Sequence, residues 1–285
     1  MGDAGTRETP APPAAGAIGT ATPSSFAFAD RASYHRAFVA LHARMLADLG
    51  HPLRPGAAVL DLGCGDGDLV SAYRGAGFEA LGADLDPGPI AASPVREHLR
   101  PIAAEGAYRL PFDDGSFDFV ASDQVLEHVR DYRATLAEVH RVLAPGGASL
   151  HTFPARWRPV ECHVHVPLGG VLRGPRWLTL WALLGVRNAF QKGLGFREVV
   201  ARNRRFLGEC TNYLGRREIL EPVRAVFGPA GGRFVEDVYL KHWFGRARHA
   251  YPLVRRLRFL AALFSALHTR VLFLEKPAPA ARSGV

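Results

Sequence analysis

The chain has 285 residues, 48% of them apolar, which is enough for a sizeable folded core. Cys64, Cys162 and Cys210 are too few and too scattered for a disulfide framework, so a reducing, cytoplasmic setting is expected. The net charge of +8 hides a split: residues 1–150 carry 12 Lys/Arg against 19 Asp/Glu, and residues 151–285 carry 23 against 8. An acidic half followed by a basic half points to an anionic partner facing the C-terminal part.

Residues 1–27 are rich in Ala, Pro, Gly and Thr without periodicity and read as a disordered tail. They lack the basic region and apolar run of a secretory leader. Next comes Val59-Leu60-Asp61-Leu62-Gly63-Cys64-Gly65-Asp66-Gly67, a short apolar strand running into three glycines at alternate positions. Glycines at this spacing let the backbone turn tightly and approach a ligand closely. The dinucleotide fingerprint needs a glycine where Asp68 stands, and a phosphate-binding P-loop needs a lysine that is absent. Asp61 would repel a phosphate, so the loop suits an adenosine-bearing ligand with a cationic end.

A second strand, 79–84, ends on Asp84, about 20 residues past the glycines, where a doubly wound fold places a carboxylate on ribose hydroxyls. Asp113 to Ser116 reads as a turn and Phe117 to Ala121 as a buried strand. A helical stretch then runs to Arg141, Ala144-Pro145-Gly146-Gly147 forms a break, and Ala148 to Phe153 is another strand.

Four blocks in order over residues 57–153 carry a resemblance: VLDLGCGDG, the acidic strand end at Asp84, LPFDDGSFDFV with LEHV, and RVLAPGG. Together they resemble the class I S-adenosylmethionine-dependent methyltransferases of the UbiE-like, type 11 group. The resemblance implies an α/β fold: a Rossmann-like doubly wound sheet of seven strands with an antiparallel last strand, plus helical lid inserts. It also implies S-adenosyl-L-methionine as methyl donor. Carried over residue by residue, Asp61, Gly63 and Gly65 line the methionine end, and Asp84 takes the ribose hydroxyls. Leu85 packs on the adenine, while Asp123 and Gln124 border the sulfonium. The family's usual Gly-Asp-Ala is here Glu105-Gly106-Ala107, so the adenine amino contact falls to Glu105 or to the backbone.

The expected organisation is a donor-binding core over 28–153, a lid insert over 154–215, completion of the sheet over 216–277 and a tail over 278–285. Arg233–Leu240 and Arg270–Glu275 are the expected closing hairpin, interrupted by a basic, apolar insert over 241–269. The lid opens with Glu161, Cys162, His163 and His165. In an extended segment Glu161, His163 and His165 would share one face. Their spacing, without a second ligand pair, does not make a zinc site, and no metal is expected. His163 is the first candidate for a general base, and His128 the second.

Trp177–Val186 and Leu253–Leu267 are apolar runs beside arginines, too short to span a bilayer yet suited to its surface. A small-molecule or lipid-linked acceptor, methylated at a hydroxyl oxygen, is the leading expectation. An RNA methyltransferase using the basic half is a second reading, although no nucleic-acid module is evident. A donor-binding protein without catalysis is a third.

Overall fold

The computed structural model describes residues 30–244, 248–249 and 251–278. The expected tail over 1–27 therefore lies outside the described residues, as does most of 278–285. Seven strands form one sheet: β1 (Ala58–Leu62), β2 (Glu79–Asp84), β3 (Leu99–Pro101), β4 (Phe117–Asp123), β5 (Leu143–Pro154), β6 (Gly232–Phe234) and β7 (Thr269–Glu275). Their order is β3-β2-β1-β4-β5-β7-β6. The first five run parallel. β7 runs antiparallel to both β5 and β6, which leaves β6 aligned with the others. This is the expected doubly wound sheet with an antiparallel last strand.

Alternate residues of the central strands enter two separate cores. Val59, Phe119, Ala121, Leu150 and Phe273 pack on one face with α1 (Arg31–Asp48), α2 (Asp68–Gly75) and α8 (Glu236–His242). Leu60, Leu62, Val120, Leu272 and Leu274 pack on the other with α4 (Tyr132–Val142) and α7 (Arg216–Phe227). Strands buried on both faces must be apolar along their whole length, so Asp61 inside such a strand is an exception that demands a reason. α3 (Pro87–Ala92) follows β2 directly.

Asp30 caps α1 by accepting from the Ser33 amide (2.6 Å), and Asp131 caps α4 by accepting from the Ala134 amide (2.9 Å). Arg31, in the first turn of α1, reaches Asp66 and Asp68 at 2.9 and 2.7 Å. These exposed pairs contribute little stability, but they place the start of α1 beside the glycine loop.

Two sequence expectations change. Arg233–Leu240 is not a strand throughout: β6 stops at Phe234 and α8 begins at Glu236. Val235 and Tyr239, four apart, both reach the core on the α1 side, so helical spacing wins over the β-rich composition. The expected break at 144–147 lies inside β5 as a bulge, where the pairing shifts between Phe117–Leu143 and Phe119–Ala148. A side chain at Gly147 would sit 2.9 Å from the Ala144 carbonyl and 3.0 Å from that of Asp118, so the bulge requires glycine there.

After β5 the chain forms α5 (Pro175–Leu183) and α6 (Phe196–Glu209), which join Val164 and Val166 in a third, smaller core through Leu178 and Leu207. The 241–269 segment contains α9 (Tyr251–Arg256) and α10 (Arg258–Leu267). Among the described residues no helix is long and apolar enough to cross a membrane.

His42 of α1 and Tyr73 of α2 meet in the dry core, Nδ1 against the phenol, and the His42 Nε2 has no partner. Burial, with a smaller push from His151, lowers the His42 imidazole to about 3, so it stays neutral. Tyr73→Phe removes the only hydrogen bond this ring makes among the described residues. It is expected to cost about 1–3 kcal/mol in urea unfolding; a change below about 0.5 kcal/mol would show that the pair contributes nothing net.

Candidate active site

The site is built at the carboxyl ends of β1, β2 and β4. Gly63 follows β1 directly with φ +78°, and its amide donates to the Ala83 carbonyl at 2.7 Å. A Cβ there would lie 2.3 Å from Val125 Cγ2, so both the turn and the packing exclude a side chain. Gly65, φ +52°, donates its amide to Asp84 Oδ2 at 2.9 Å. Asp84 Oδ1 accepts from the Asp86 amide, also at 2.9 Å. Each oxygen keeps a further lone pair, so Asp84 holds the glycine loop in place and can still accept from hydroxyls.

Asp61 is buried, and no lysine or arginine among the described residues forms an ion pair with it. Burial, followed by the charges of Asp123, Asp84 and Asp66, pushes its carboxyl up to about 8. Burial raises Asp123 to about 7, partly opposed by a hydrogen bond from Gln124. Gln124 itself takes φ +57°, a conformation uncommon outside glycine, with its amide donating to the Thr152 carbonyl at 2.8 Å. Such backbone strain is a mark of positions held for function.

Leu85, next to Asp84, is 55% exposed. Glu105, Gly106 and Ala107 form an exposed loop after β3, with Gly106 at φ +85°. An aspartate there would carry the strain of that backbone, which accounts for the glycine in this chain.

The two histidines come together although 35 positions separate them: the His128 and His163 rings are 5.0 Å apart, edge to face. His128 belongs to a 3₁₀ turn after β4 and His163 to the loop after β5. His128 Nδ1 faces the Cys210 carbonyl at 2.5 Å. His163 Nδ1 faces Glu161 Oε1 at 2.7 Å. Glu161 also accepts from the His163 and Val164 amides at 2.8 and 2.6 Å and from the Tyr213 hydroxyl at 2.6 Å. Although burial opposes it, this set of donors lowers the Glu161 carboxyl to about 2. Burial also works against a charge on His163, but hydrogen bonds to Cys162 and Glu161 outweigh it and raise the ring to about 11. His128 is shifted down by burial and remains neutral.

The expected shared face of Glu161, His163 and His165 is not formed. Residues 161–165 make a tight turn, with the His165 amide donating to the Glu161 carbonyl, and His165 is exposed at φ +60°. The turn satisfies the Glu161 carboxylate with local amides, which an extended segment cannot do. Sequence reading assigned no role to Tyr213, which comes from the loop before α7, nor to Glu127. Glu127 is 1% exposed and neither carboxylate oxygen has a hydrogen-bond partner among the described residues. Burial raises it to about 8, opposed by the charge on His163.

Residues 60–150 match the methyltransferase domain family Methyltransf_11. The chain is 37% identical over 108 residues to an uncharacterized methyltransferase of Mycolicibacterium gilvum, covering 37% of this chain and 42% of that protein. It is 31% identical to a malonyl-[acyl-carrier protein] O-methyltransferase of Pseudescherichia vulneris, over 42% of this chain and 51% of the relative. A demethylmenaquinone methyltransferase of Symbiobacterium thermophilum is 36% identical over 33% of this chain and 41% of its own. The chain thus matches about half or less of the length of these relatives. A geranyl diphosphate C-methyltransferase from Streptomyces coelicolor A3(2) has a solved structure that aligns at 17% identity, TM-score 0.46, over 86% of this chain and 81% of that one. Residues 60–150 therefore match a methyltransferase domain, and the relatives named methyltransferases align over part of the chain only.

Asp61 gives a signed pH effect. Its folded value of about 8 lies above the unfolded 3.8, so the folded state holds one extra proton between them. That contribution is fully present below 3.8 and is lost as pH rises through about 8. Asp61→Asn should remove a slope of about 1.4 kcal/mol per pH unit between pH 5 and 8 in the ligand-free protein. Parallel stability–pH curves for the two proteins would contradict this.

Proposed function

We propose that the chain is an S-adenosyl-L-methionine-dependent methyltransferase acting on a small or lipid-linked acceptor at a hydroxyl oxygen. The observation that carries it is the acidic site around the buried Asp61 at the ends of β1, β2 and β4, which lies within the matched methyltransferase domain and which no lysine or arginine among the described residues pairs at Asp61 or Asp123. Buried carboxyls in this state suit a cationic ligand, since burial of a charge is costly unless it is paired. The donor has such a charge at its ammonium and at its sulfonium.

On this reading Asp61, Gly63 and Gly65 hold the methionine end, and Asp84 accepts from the ribose hydroxyls. Leu85 covers the adenine face, with Glu105, Gly106 and Ala107 along its edge. Asp123 and Gln124 border the sulfonium. When bound, the donor supplies an electrophilic methyl group. The protein's part is to place a nucleophile in line with it and to manage the proton that the nucleophile gives up. His128 and His163 are the residues proposed for that task. His128 is neutral and therefore able to take a proton, while His163 is held cationic by Glu161 and suits an anionic or developing negative oxygen.

A lipid-linked acceptor is supported by the apolar surface of the C-terminal half. Leu253, Phe259 and Leu263 of α9 and α10 are each about half exposed or more, beside the exposed Arg255 and Arg256. Apolar groups next to cations favour an anionic membrane surface. Sedimentation with vesicles containing phosphatidylserine is expected to carry the protein down at low salt, and Phe259→Ser with Leu263→Ser to weaken that several-fold. Equal sedimentation of both proteins would remove the membrane from the account.

Calorimetry with the donor tests the site. Asp84→Ala is expected to weaken binding by about 1–3 kcal/mol, because hydroxyls are left unpaired and the Gly65 amide loses its acceptor. Asp84→Asn, which keeps an oxygen, should lie between the two. Unchanged affinity in the alanine variant would put the ribose elsewhere. Donor binding with no methyl transfer to any hydroxylated acceptor would reduce the protein to a donor-binding one.

A further inference from the structure

Glu127, His128 and His163 each offer a ligand atom, and these atoms lie within 4.8 Å of one another. The Glu127 Oε1 to His128 Nε2 distance is 3.8 Å. We propose that these three side chains bind a divalent first-row transition metal ion of the Zn²⁺ or Mn²⁺ kind, placed to receive the acceptor's hydroxyl oxygen. This rests on the methyltransferase reading and deepens it, against the expectation from sequence that no metal binds.

Four observations support the site. First, the Glu127 carboxylate is buried, and neither its oxygens nor the buried His128 Nε2 has a hydrogen-bond partner among the described residues. Unpaired buried polar atoms are rare and costly, and here two residues direct theirs into one space. Second, the tautomers are fixed as a metal requires. A carbonyl only accepts, so His128 Nδ1 facing Cys210 O must carry its proton, which leaves the Nε2 lone pair free. His163 Nδ1 keeps its proton toward the Glu161 carboxylate in the same way, so a metal at Nε2 takes the place of the second proton of the metal-free, cationic ring.

Third, metal-binding histidines characteristically donate their other N–H to a carboxylate or a backbone carbonyl, and this site has one of each. The supporting carboxylate is itself held by Tyr213 and two amides. Fourth, two imidazoles and a carboxylate form a ligand set suited to such ions, with positions left open for another oxygen. Ligands bonded at roughly 2.0–2.2 Å lie about 3.3 Å apart, so binding would close the 3.8 Å Glu127–His128 separation by about 0.5 Å. The neighbouring trio Glu161, Cys162 and His163 is a poorer site, since four donors already occupy the Glu161 carboxylate.

The cluster lies against the donor site: Val125 touches Gly63, and Glu127 follows Asp123 by four residues. A hydroxyl on the ion would become more acidic and release its proton to solvent water. Its oxygen would then form a bond to the methyl carbon as the carbon–sulfur bond breaks, and the electron pair would stay on sulfur. No oxidant or reductant is involved. With the ion present, His128 and His163 are both ligands, and the metal would replace them in activating the hydroxyl and in offsetting the oxygen's developing charge.

The full chain, stripped with a chelator and dialysed, should be titrated with Zn²⁺ alone and with Mn²⁺ alone by calorimetry. Co²⁺ serves as an absorbing probe. One ion per chain is expected, with a visible Co²⁺ band. Glu127→Gln and His163→Gln should each weaken binding at least tenfold, and Glu161→Gln by 10–100-fold through the second shell. Circular dichroism and donor calorimetry on the same samples report folding and the donor site. No binding by the stripped protein, or equal binding by the wild type and all three variants, would overturn the proposal. Metal binding without donor binding would sustain the ion and overturn the methyltransferase reading. Full turnover of stripped protein in excess chelator would do the reverse.

Discussion

Asp61 and Glu127 stand buried at one end of the sheet, with Asp123 part-buried beside them, and no lysine or arginine among the described residues forms an ion pair with any of the three. Everything around them follows from that constraint. A carboxyl in a dry site either holds its proton or acquires a cation, and the protein spends stability to keep these three. The remaining features place backbone rather than charge around them. Gly63 and Gly65 bring the chain close, Asp84 accepts from the Gly65 amide, and Gln124 adopts a strained backbone beside Asp123.

The arrangement separates two kinds of cationic need. Asp61 and Asp123 border the space proposed for the donor's own charges. Glu127 lies further out, beside His128 and His163, where the lid meets the core. Three segments distant in sequence converge there: the turn after β4, the turn at 161–165 and the segment leading out of α6. Phe206 packs against both imidazoles, so the cluster has an apolar wall on the lid side. On the proposed reading an acceptor would meet polar chemistry along one edge and hydrocarbon along the other, as an amphipathic substrate requires.

Much of the core was legible in the sequence. β1, the glycine loop and Asp84 carry local signals, because tight turns and strand ends need particular residues at particular spacings. Other parts were hidden for physical reasons. β3 is three residues long with two of them exposed, too short to show a periodicity. Residues 235–240 contain β-rich side chains at helical spacing, and only the core they meet decides between the two. His165 alternates with His163 in sequence but not in space, because Glu161 closes a turn on its own following amides. Tyr213 supports the Glu161 carboxylate from 52 residues away, a contact no local pattern contains. Glu127 stands in view inside the LEHV block, yet only burial without hydrogen-bond partners among the described residues distinguishes it from an ordinary surface glutamate.

The central claim is that Asp61 waits for a cation. Calorimetric titration with S-adenosyl-L-methionine near pH 7, repeated in buffers of different ionisation enthalpy, tests it most directly. A carboxyl raised to about 8 is mostly protonated at that pH, so pairing it with a cationic donor must expel its proton. Release of about one proton per donor bound, abolished in Asp61→Asn, is the predicted result. Binding with no proton release, or none lost on that substitution, would contradict the account.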